Sequence, residues 1–255
     1  MKYLTKYTTQ LAHGATVIEE TLAMLLAYQH GMSNDDFFNV IIENGVLSYT
    51  SESRIKHLIY DVFYQRFVKY NPQTATWLKA IREKGLMLDE MSQILMVYCA
   101  RSNALYYDFI TDVLNVYRSD ERKVMPRGEI INFIDTLQSN GSINWSESVR
   151  KKNAGYISSA MLGFGQYTRK QEVMPVSLTD FVFLYILHDL HFLGISDNGL
   201  LEDTDWRLFN MSRNDIAQRI LDLSLKGGYI AQYSGELLTI SWTYKSMEDF
   251  IDGTL

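Results

Sequence analysis

Apolar residues recur at helical spacing along most of the first 195 positions. In the segment 10–30 they follow one another at steps of three or four residues, and so lie on one face of an α-helix that stops at Gly31. The same spacing, with turn residues between the runs, predicts further helices. These helices cover residues 34–43, 51–70, 74–84, 89–117, 127–138, 146–164 and 178–192.

The pattern changes after residue 200, where a short helix near 205–209 is expected. Ser212 and Asp215 then stand at the two positions of a capping box for a helix that ends at Gly227. Two β-favourable runs follow, joined by a Ser-Gly-Glu turn. They cover residues 229–233 and 237–243. A helix, a glycine stop and a hairpin follow one another in this order in a winged helix-turn-helix, so this segment is predicted to be winged-helix-like.

The segment 171–177, which contains Pro175, is the best candidate for a linker. It divides the chain into a helical domain over 1–175 and a winged-helix-like domain over 176–255. The expected fold class is therefore mainly α, a helical bundle followed by a segment with one β-hairpin.

Two parts of the helical domain repeat one order of elements. Residues 37–45 and 129–141 each form a predicted helix that stops at Asn-Gly. Four or five residues later, a serine cap (Ser51 in the first copy, Ser146 in the second) begins another helix. This is a helix-turn-helix layout with a somewhat long turn. An old duplication and a chance recurrence of common serine caps both account for it.

The helix start of the second copy has an unusual charge pattern. Helix N-termini favour acids, because their first amide groups lack partners inside the helix, yet Arg150, Lys151 and Lys152 closely follow Ser146. A docked anion would reverse this disadvantage, since amides and cations would both face it. The helical wheel turns Ser148 and the two lysines away from the apolar side, and the same outer face continues with Gly155, Ser158 and Ser159. Such a face can approach a phosphate backbone; the alternative is a basic surface that meets only solvent.

Other basic positions give weaker predictions. The second helix of the first copy is apolar on nearly all sides, so only Arg54 and Lys56 at its start can reach a partner. The predicted recognition helix of the winged segment carries Arg213 and Arg219 beside acids, and protein docking is the alternative there. The predicted DNA-binding residues are Ser146, Ser148, Arg150, Lys151, Lys152, Arg54, Lys56, Arg213 and Arg219.

Charge is unevenly distributed along the 255 residues, whose formal net charge is −6. Residues 1–176 carry 19 Lys and Arg against 18 Asp and Glu, whereas residues 177–255 carry 5 against 12. Within the first part, 50–84 has 7 basic against 3 acidic residues, and 145–176 has 5 against 2. The net acidity disfavours nucleic acid, but both basic segments include a serine-capped helix start.

The sequence offers no pattern typical of catalysis. His188 and His191 lie on an apolar helix without a third ligand, which favours core or interface histidines. The acidic run 202–205 lacks the glycine and closing glutamate of a calcium loop, and the single Cys99 excludes a disulfide framework or a cysteine-based zinc site. With no secretory signal and no apolar stretch of 18 residues, we expect a cytoplasmic protein without membrane contact, cofactor or metal.

The run from Trp145 to Lys152, Trp-Ser-Glu-Ser-Val-Arg-Lys-Lys, resembles a block of the BrxA family, small proteins of BREX phage-defence operons. Similar pieces are Ser51-Glu52-Ser53, Tyr107-Asp108-Phe109 and the run from Ser241 to Glu248. The resemblance implies a helical core of NusB-like character with helix-turn-helix elements, binding of double-stranded DNA and no catalytic activity. It also implies partnership with a methyltransferase, an ATPase and a phosphatase-like component.

Taken with the basic helix start, the resemblance implies a non-enzymatic component of a BREX phage-defence system that contacts double-stranded DNA through helix-turn-helix elements. One alternative is a protein–protein adaptor of the same system that docks through its acidic winged-helix part. The other is an RNA-binding, NusB-like bundle that uses the basic segments.

Overall fold

The computed structural model describes residues 6–120 and 124–255, so part of the connection between the predicted helices 89–117 and 127–138 lies outside the described residues. The chain forms two compact units. The first holds the described residues up to Glu83 and from Leu95 to Pro175, and the second holds Lys84–Ile94 and Val176–Leu255. That these are separate domains divided at residue 175 stays a prediction.

The first unit is helical. It begins with a short 3₁₀-helix, Gln10–His13, and contains two π-helical stretches, Leu58–Val68 and Phe109–Leu114. Its α-helices are α1 (Ile18–Ala27), α2 (Asn34–Glu43), α3 (Glu52–His57), α4 (Thr74–Glu83), α5 (Leu88–Arg101, with residues in both units), α6 (Ala104–Asp108), α7 (Asn115–Ser119), α8 (Gly128–Ser139) and α9 (Glu147–Gly163).

Two long helices predicted from periodicity are interrupted in the structure. The segment 10–30 breaks at Gly14, which packs against Val62 so closely that an added Cβ would lie 2.6 Å from a Val62 methyl group. The segment 89–117 breaks at Asn103, whose backbone is extended and whose Oδ1 accepts a bond from the Tyr106 amide at 3.0 Å. Apolar spacing continues across both breaks, so periodicity alone predicts one helix where a cap or a close contact produces two.

A chain of aromatic rings runs through the core of the first unit. Tyr28 and Phe37 both contact Phe63, with ring centroids 5.3 and 5.0 Å away. Phe63 contacts Phe67, which in turn contacts Tyr98 at 5.7 Å. These rings join the C-terminal end of α1, where Tyr28 follows the last helical residue, to α2, the first π-helix and α5, and all five are at least 95% buried.

The second unit contains the only β-hairpin of the described residues. Its antiparallel strands pair Tyr229 with Trp242 at one end and Ser234 with Leu237 at the other. Its elements are α10 (Asp180–Phe192), α11 (Asp197–Leu200), a 3₁₀-helix (Thr204–Phe209), α12 (Arg213–Asp222), β1 (Tyr229–Ser234), β2 (Leu237–Trp242) and α13 (Met247–Thr254). The predicted mainly helical class with one hairpin is confirmed, and the capping box of Ser212 and Asp215 is present.

Two helices of the second unit were not predicted from the sequence. The first turn of α11 supports the hairpin, because Asp197 Oδ2 accepts a bond from the Ile240 amide at 2.8 Å and Asn198 Oδ1 accepts one from the Leu238 amide at 3.3 Å. The other is α13, whose N-cap Ser246 accepts a bond from the Asp249 amide. A serine followed by acids in the next turn is the sequence pattern that indicates such a start.

His188 lies in the core of the second unit, as its apolar helix predicts. Its ring is fully buried, stacks on Phe250 at 4.2 Å and lies 5.0 Å from Trp242. Trp242 also stacks on His191 at 3.9 Å. No helix in the described part of the chain is both long and apolar enough to cross a membrane.

Candidate nucleic-acid interface

The connection between α8 and α9 is fixed by hydrogen bonds that residues 145–152 make. This run, which begins Trp-Ser, is called the Trp-Ser block below. The Trp145 amide donates to Gln138 Oε1 at 2.8 Å, and Ser146 caps α9 by accepting a bond from the Val149 amide at 3.4 Å. Arg150 then donates through Nε to Asp135 Oδ1 at 2.6 Å and through a terminal nitrogen to the Trp145 carbonyl at 2.9 Å. Trp145, Ser146 and Arg150 therefore build the turn.

The other polar residues of the block face outward at the start of α9. Ser148, Lys151 and Lys152 are exposed. Lys151 Nζ lies 2.5 Å from Glu147 Oε1, four residues earlier, and the hydrogen bond and charge of Lys151 lower the pKa of Glu147. Because both partners are about two-thirds exposed, this pair is readily exchanged for another partner. Within the described chain Lys152 has no ion-pair partner.

The outer face of α9 is small and polar behind the lysines. Gly155 and Ser159 are exposed, and a Cβ placed at Gly155 would meet no atom within 4 Å. Ser158 departs from the wheel prediction, because it is half-buried and shares a hydrogen bond with the Tyr167 hydroxyl. On the opposite side Ile157, Ala160 and Met161 are fully buried, so the helix has one packed face and one open basic-to-polar face.

The first copy repeats the local turn geometry of the second. The first helix of each copy, α2 and α8 respectively, ends at an asparagine with φ of −87° and ψ near 0°. A glycine with positive φ follows, Gly45 in the first copy and Gly141 in the second. Ser51 caps α3 as Ser146 caps α9, with φ and ψ values that agree within 10°. The continuation differs, because α9 stays α-helical for 17 residues whereas α3 passes into the π-helix after six.

The two basic residues of the first copy have different surroundings. Arg54 donates to the His13 carbonyl at 2.6 Å and is partly buried. Lys56 is exposed, and its Nζ lies 5.0 Å above the Phe38 ring. Lys56 therefore remains able to reach a phosphate, whereas Arg54 holds the chain in place.

The two arginines of α12 also have bonding partners within the second unit. Arg213 pairs with Glu202 and donates to the Glu236 carbonyl at 3.0 Å. Arg219 donates to the Leu178 carbonyl at 2.6 Å and to Asp180 at 3.0 Å, and its guanidinium lies above the Phe183 ring. An open groove beside α12 is lined by the carboxylates of Asp180, Asp215 and Asp222, together with Gln218, Arg219 and Lys226. This face is mixed in charge rather than basic.

The structure also brings together three residues that the sequence did not single out. His13, His57 and Asp61 each offer one ligand atom, and these atoms all lie within 4.8 Å of one another. Sequence spacing reveals only two of its three members, since His57 and Asp61 are four residues apart on a helix whereas His13 comes from the 3₁₀-helix Gln10–His13.

The fold is similar to one known from a crystal structure. A crystal structure of an uncharacterized protein from Magnetospirillum magneticum matches with a TM-score of 0.61 and 16% identity, over 80% of this chain and 98% of that one. At this identity the likeness concerns the fold alone. No curated protein matches the sequence.

The sequence itself matches a family model. The model of the BrxA family covers residues 5–189, nearly three-quarters of the chain, and the chain therefore belongs to the BrxA family. Membership associates it with the BREX phage-defence system, and BrxA is not known as an enzyme family. The matched region includes the whole Trp-Ser block but not the hairpin or α13.

Proposed function

We propose that this protein is a non-enzymatic component of a BREX system that binds double-stranded DNA through the phosphate backbone. One observation carries the proposal. The second turn of α9 presents Lys151 and Lys152, one turn beyond the Ser146-capped helix start, on a face that is otherwise small and polar. Amides, helix dipole and two cations then act on one phosphate region.

Within the Trp-Ser block, Arg150 is bonded inside the turn whereas the two lysines face outward, and this difference supports the proposed role. Arg150 is bonded to Asp135 and to the Trp145 carbonyl, so the basic helix start is held on a rigid turn. Lys151 and Lys152, by contrast, are exposed, and Lys151 can leave its exposed partner Glu147 at little cost in free energy. A hydrogen-bonded turn that carries exposed cations suits contacts that position a protein on DNA without reading bases.

The same proposal assigns a fold type to each unit. The first unit is taken as a NusB-like bundle with two helix-turn-helix elements, α2–α3 and α8–α9, and the second as winged-helix-like. The repeated Asn-Gly stop and serine cap support the former, and the order α10, α12, β1, β2 supports the latter. Of the predicted DNA-binding residues, Ser148, Lys151, Lys152 and Lys56 are proposed to contact DNA, and Ser146 through the helix start that it caps. Arg54, Arg150, Arg213 and Arg219 are proposed to support the binding surface.

The test is a fluorescence-anisotropy titration of a labelled duplex across a salt series, with the Lys151→Ala/Lys152→Ala double variant. Its affinity should fall similarly on unrelated sequences, and the slope of log K against log salt should drop by roughly one unit per lost contact. Arg169→Ala/Lys170→Ala is the matched control, since it removes two adjacent exposed cations just beyond α9. Equal affinity and slope for the wild type and the lysine variant would make the α9 assignment wrong.

Single-stranded and double-stranded RNA of the same length complete the experiment. Tighter binding to RNA than to DNA, lost in the same lysine variant, would favour the RNA-binding alternative. The site would then be right and the ligand wrong.

A second candidate function is an adaptor that docks through the second unit. The groove beside α12 favours it, because its three carboxylates outnumber its two cations, Arg219 and Lys226, and would attract a basic partner surface. In co-purification with the BREX methyltransferase, ATPase and phosphatase-like component, the adaptor role predicts partner loss in Asp180→Asn/Asp222→Asn while DNA affinity stays unchanged.

A further inference from the structure

His13, His57 and Asp61 form a compact donor cluster on the surface of the first unit. Asp61 Oδ2 lies 2.8 Å from His57 Nδ1 and 3.6 Å from His13 Nδ1. The two imidazole rings are stacked, with centroids 4.9 Å apart and planes inclined by 21°. All three side chains are between a third and a half exposed, so water and ions have access to the cluster.

We propose that these three residues bind a divalent transition-metal ion, with Zn²⁺ as the best fit. Two imidazole nitrogens and one carboxylate oxygen form a donor set that suits Zn²⁺ and its first-row neighbours, whereas Ca²⁺ and Mg²⁺ require oxygen ligands. Ligands at roughly 2.0–2.1 Å from a tetrahedral ion lie about 3.4 Å apart. The two separations from Asp61 Oδ2, 2.8 and 3.6 Å, bracket this value, and all three ligand atoms lie within 4.8 Å of one another. Side-chain rotations that also tilt the stacked imidazole rings would bring the three atoms onto one ion.

The backbone that carries His13 is already held in place. Arg54 donates to the His13 carbonyl at 2.6 Å, and Arg66 donates to the Gly14 carbonyl at 2.6 Å. Gly14 itself packs against Val62, one residue after Asp61. Binding therefore orders little besides three side chains, which lowers its entropic cost.

The ion would join two segments of the chain that are distant in sequence. His13 ends the 3₁₀-helix Gln10–His13, whereas His57 ends α3 and Asp61 lies in the π-helix that follows. The same 3₁₀-helix also contacts α9. A bound ion would thus fix the first segment of the unit against both the π-helix and, through the 3₁₀-helix, α9. Three protein ligands leave one position open to water, on the solvent side.

The experiment is calorimetric titration of ZnCl₂ into tag-free, EDTA-treated full-length protein, with thermal unfolding measured in parallel. One ion per chain should bind, and saturation should raise the Tm by roughly 5 °C. Zn²⁺ affinity should fall in each of three variants, His13→Ala, His57→Ala and Asp61→Asn. The fall should exceed the roughly 10–100-fold loss that follows removal of a residue that only hydrogen-bonds a metal ligand. Co²⁺ in place of Zn²⁺ should give the visible absorption of a tetrahedral site.

The control is His30→Ala, which removes an exposed histidine far along the chain from the cluster and should leave Zn²⁺ affinity and the Tm shift unchanged. Circular dichroism confirms that each variant is folded. The proposal is overturned if wild type and His13→Ala bind Zn²⁺ equally, or if the wild type shows no stoichiometric binding. In either case the cluster is only a hydrogen-bonded histidine–aspartate pair with a stacked ring.

Discussion

Arg150 Nε lies 2.6 Å from Asp135 Oδ1, and this contact joins α8 to α9. The Arg150 side chain is 21% exposed, whereas Asp135 is half exposed. The same guanidinium also donates to the Trp145 carbonyl. Arg150, whose charge alone would assign it to the proposed phosphate site, is thus part of the turn between α8 and α9.

The first prediction separates stability from DNA binding within this one block. Arg150→Ala should lower the free energy of unfolding by about 1–2 kcal/mol, since it removes two hydrogen bonds and a partly buried stem, while the half-exposed ion pair itself adds little. Lys151→Ala/Lys152→Ala should change stability by no more than about 0.5 kcal/mol. Urea unfolding of both variants checks this, and equal losses of stability would contradict it.

The second prediction concerns Glu147, which shares the exposed helix start with Lys151. The Glu147 carboxylate pairs with Lys151 and would repel a phosphate approaching the same turn. Glu147→Gln should therefore raise DNA affinity severalfold at low salt, with the gain shrinking as salt increases. Glu43→Gln, at the exposed C-terminal end of α2, is the control that changes net charge equally. A gain of the same size in both variants would assign the effect to net charge alone.

The third prediction concerns the close packing of Tyr244 against two glycines. Gly228 has a φ of +72°, and a Cβ there would overlap the Tyr244 ring, while a Cβ at Gly253 would lie 2.5 Å from the same ring. Gly228→Ala should therefore lower the free energy of unfolding by about 1–2 kcal/mol through strain at a positive φ, and by roughly 1–3 kcal/mol more through the overlap with the Tyr244 ring. Gly235→Ala has a similar φ of +65° but open space around it, so it should cost the strain alone. Equal losses of unfolding free energy for Gly228→Ala and Gly235→Ala, measured by chemical denaturation, would show that Tyr244 moves aside freely.

Local patterns along the sequence predicted most helices, because caps and stops act over a few residues. Ser33, Ser146 and Ser212 all accept the expected amide bond, and α2 has the predicted bounds. The exposed face of α9 also follows from helical geometry, apart from Ser158. These features depend on neighbours within one or two turns, which a sequence displays directly.

Features that depend on distant contacts were not predictable in the same way. The break at Gly14 reflects Val62, and the engagement of Arg54 reflects the His13 carbonyl 41 residues earlier. Charge in a sequence does not show which cations are bonded internally, so Arg150 and Lys152 look equivalent until the turn is folded. The cluster of His13 with His57 and Asp61 is hidden for the same reason.

The last prediction is a loss of stability in acid that originates at His188. Burial among aromatic rings lowers the pKa of this histidine to about 4, well below the usual value of 6.5. One ring nitrogen bonds the Leu184 carbonyl at 2.9 Å, and the other has no partner among the described residues. The folded state therefore requires the neutral ring, because a proton on the second nitrogen would be buried without an acceptor.

The sign of the effect follows from linkage. Between pH 6.5 and about 4 the unfolded chain binds a proton at His188 and the folded chain does not, so the free energy of unfolding falls as pH falls through this window. The full loss of unfolding free energy from His188 is about 3 kcal/mol, and above pH 7 the contribution of His188 to stability is constant. Neighbouring His191 adds a loss of the same sign, since burial lowers its pKa too.

His188→Phe tests this assignment, because a phenyl ring keeps the stacking on Phe250 and cannot be protonated. Urea unfolding between pH 4.5 and 7.5 should show a steeper loss of stability for the wild type than for the variant, with the curves parallel above pH 7. His30→Gln, an exposed histidine, should behave as the wild type. Parallel curves for the wild type and His188→Phe across the whole range would mean that acid lability comes from other groups. Amide hydrogen exchange in α10 and the hairpin locates the loss, since opening caused by His188 must begin in the elements that enclose it.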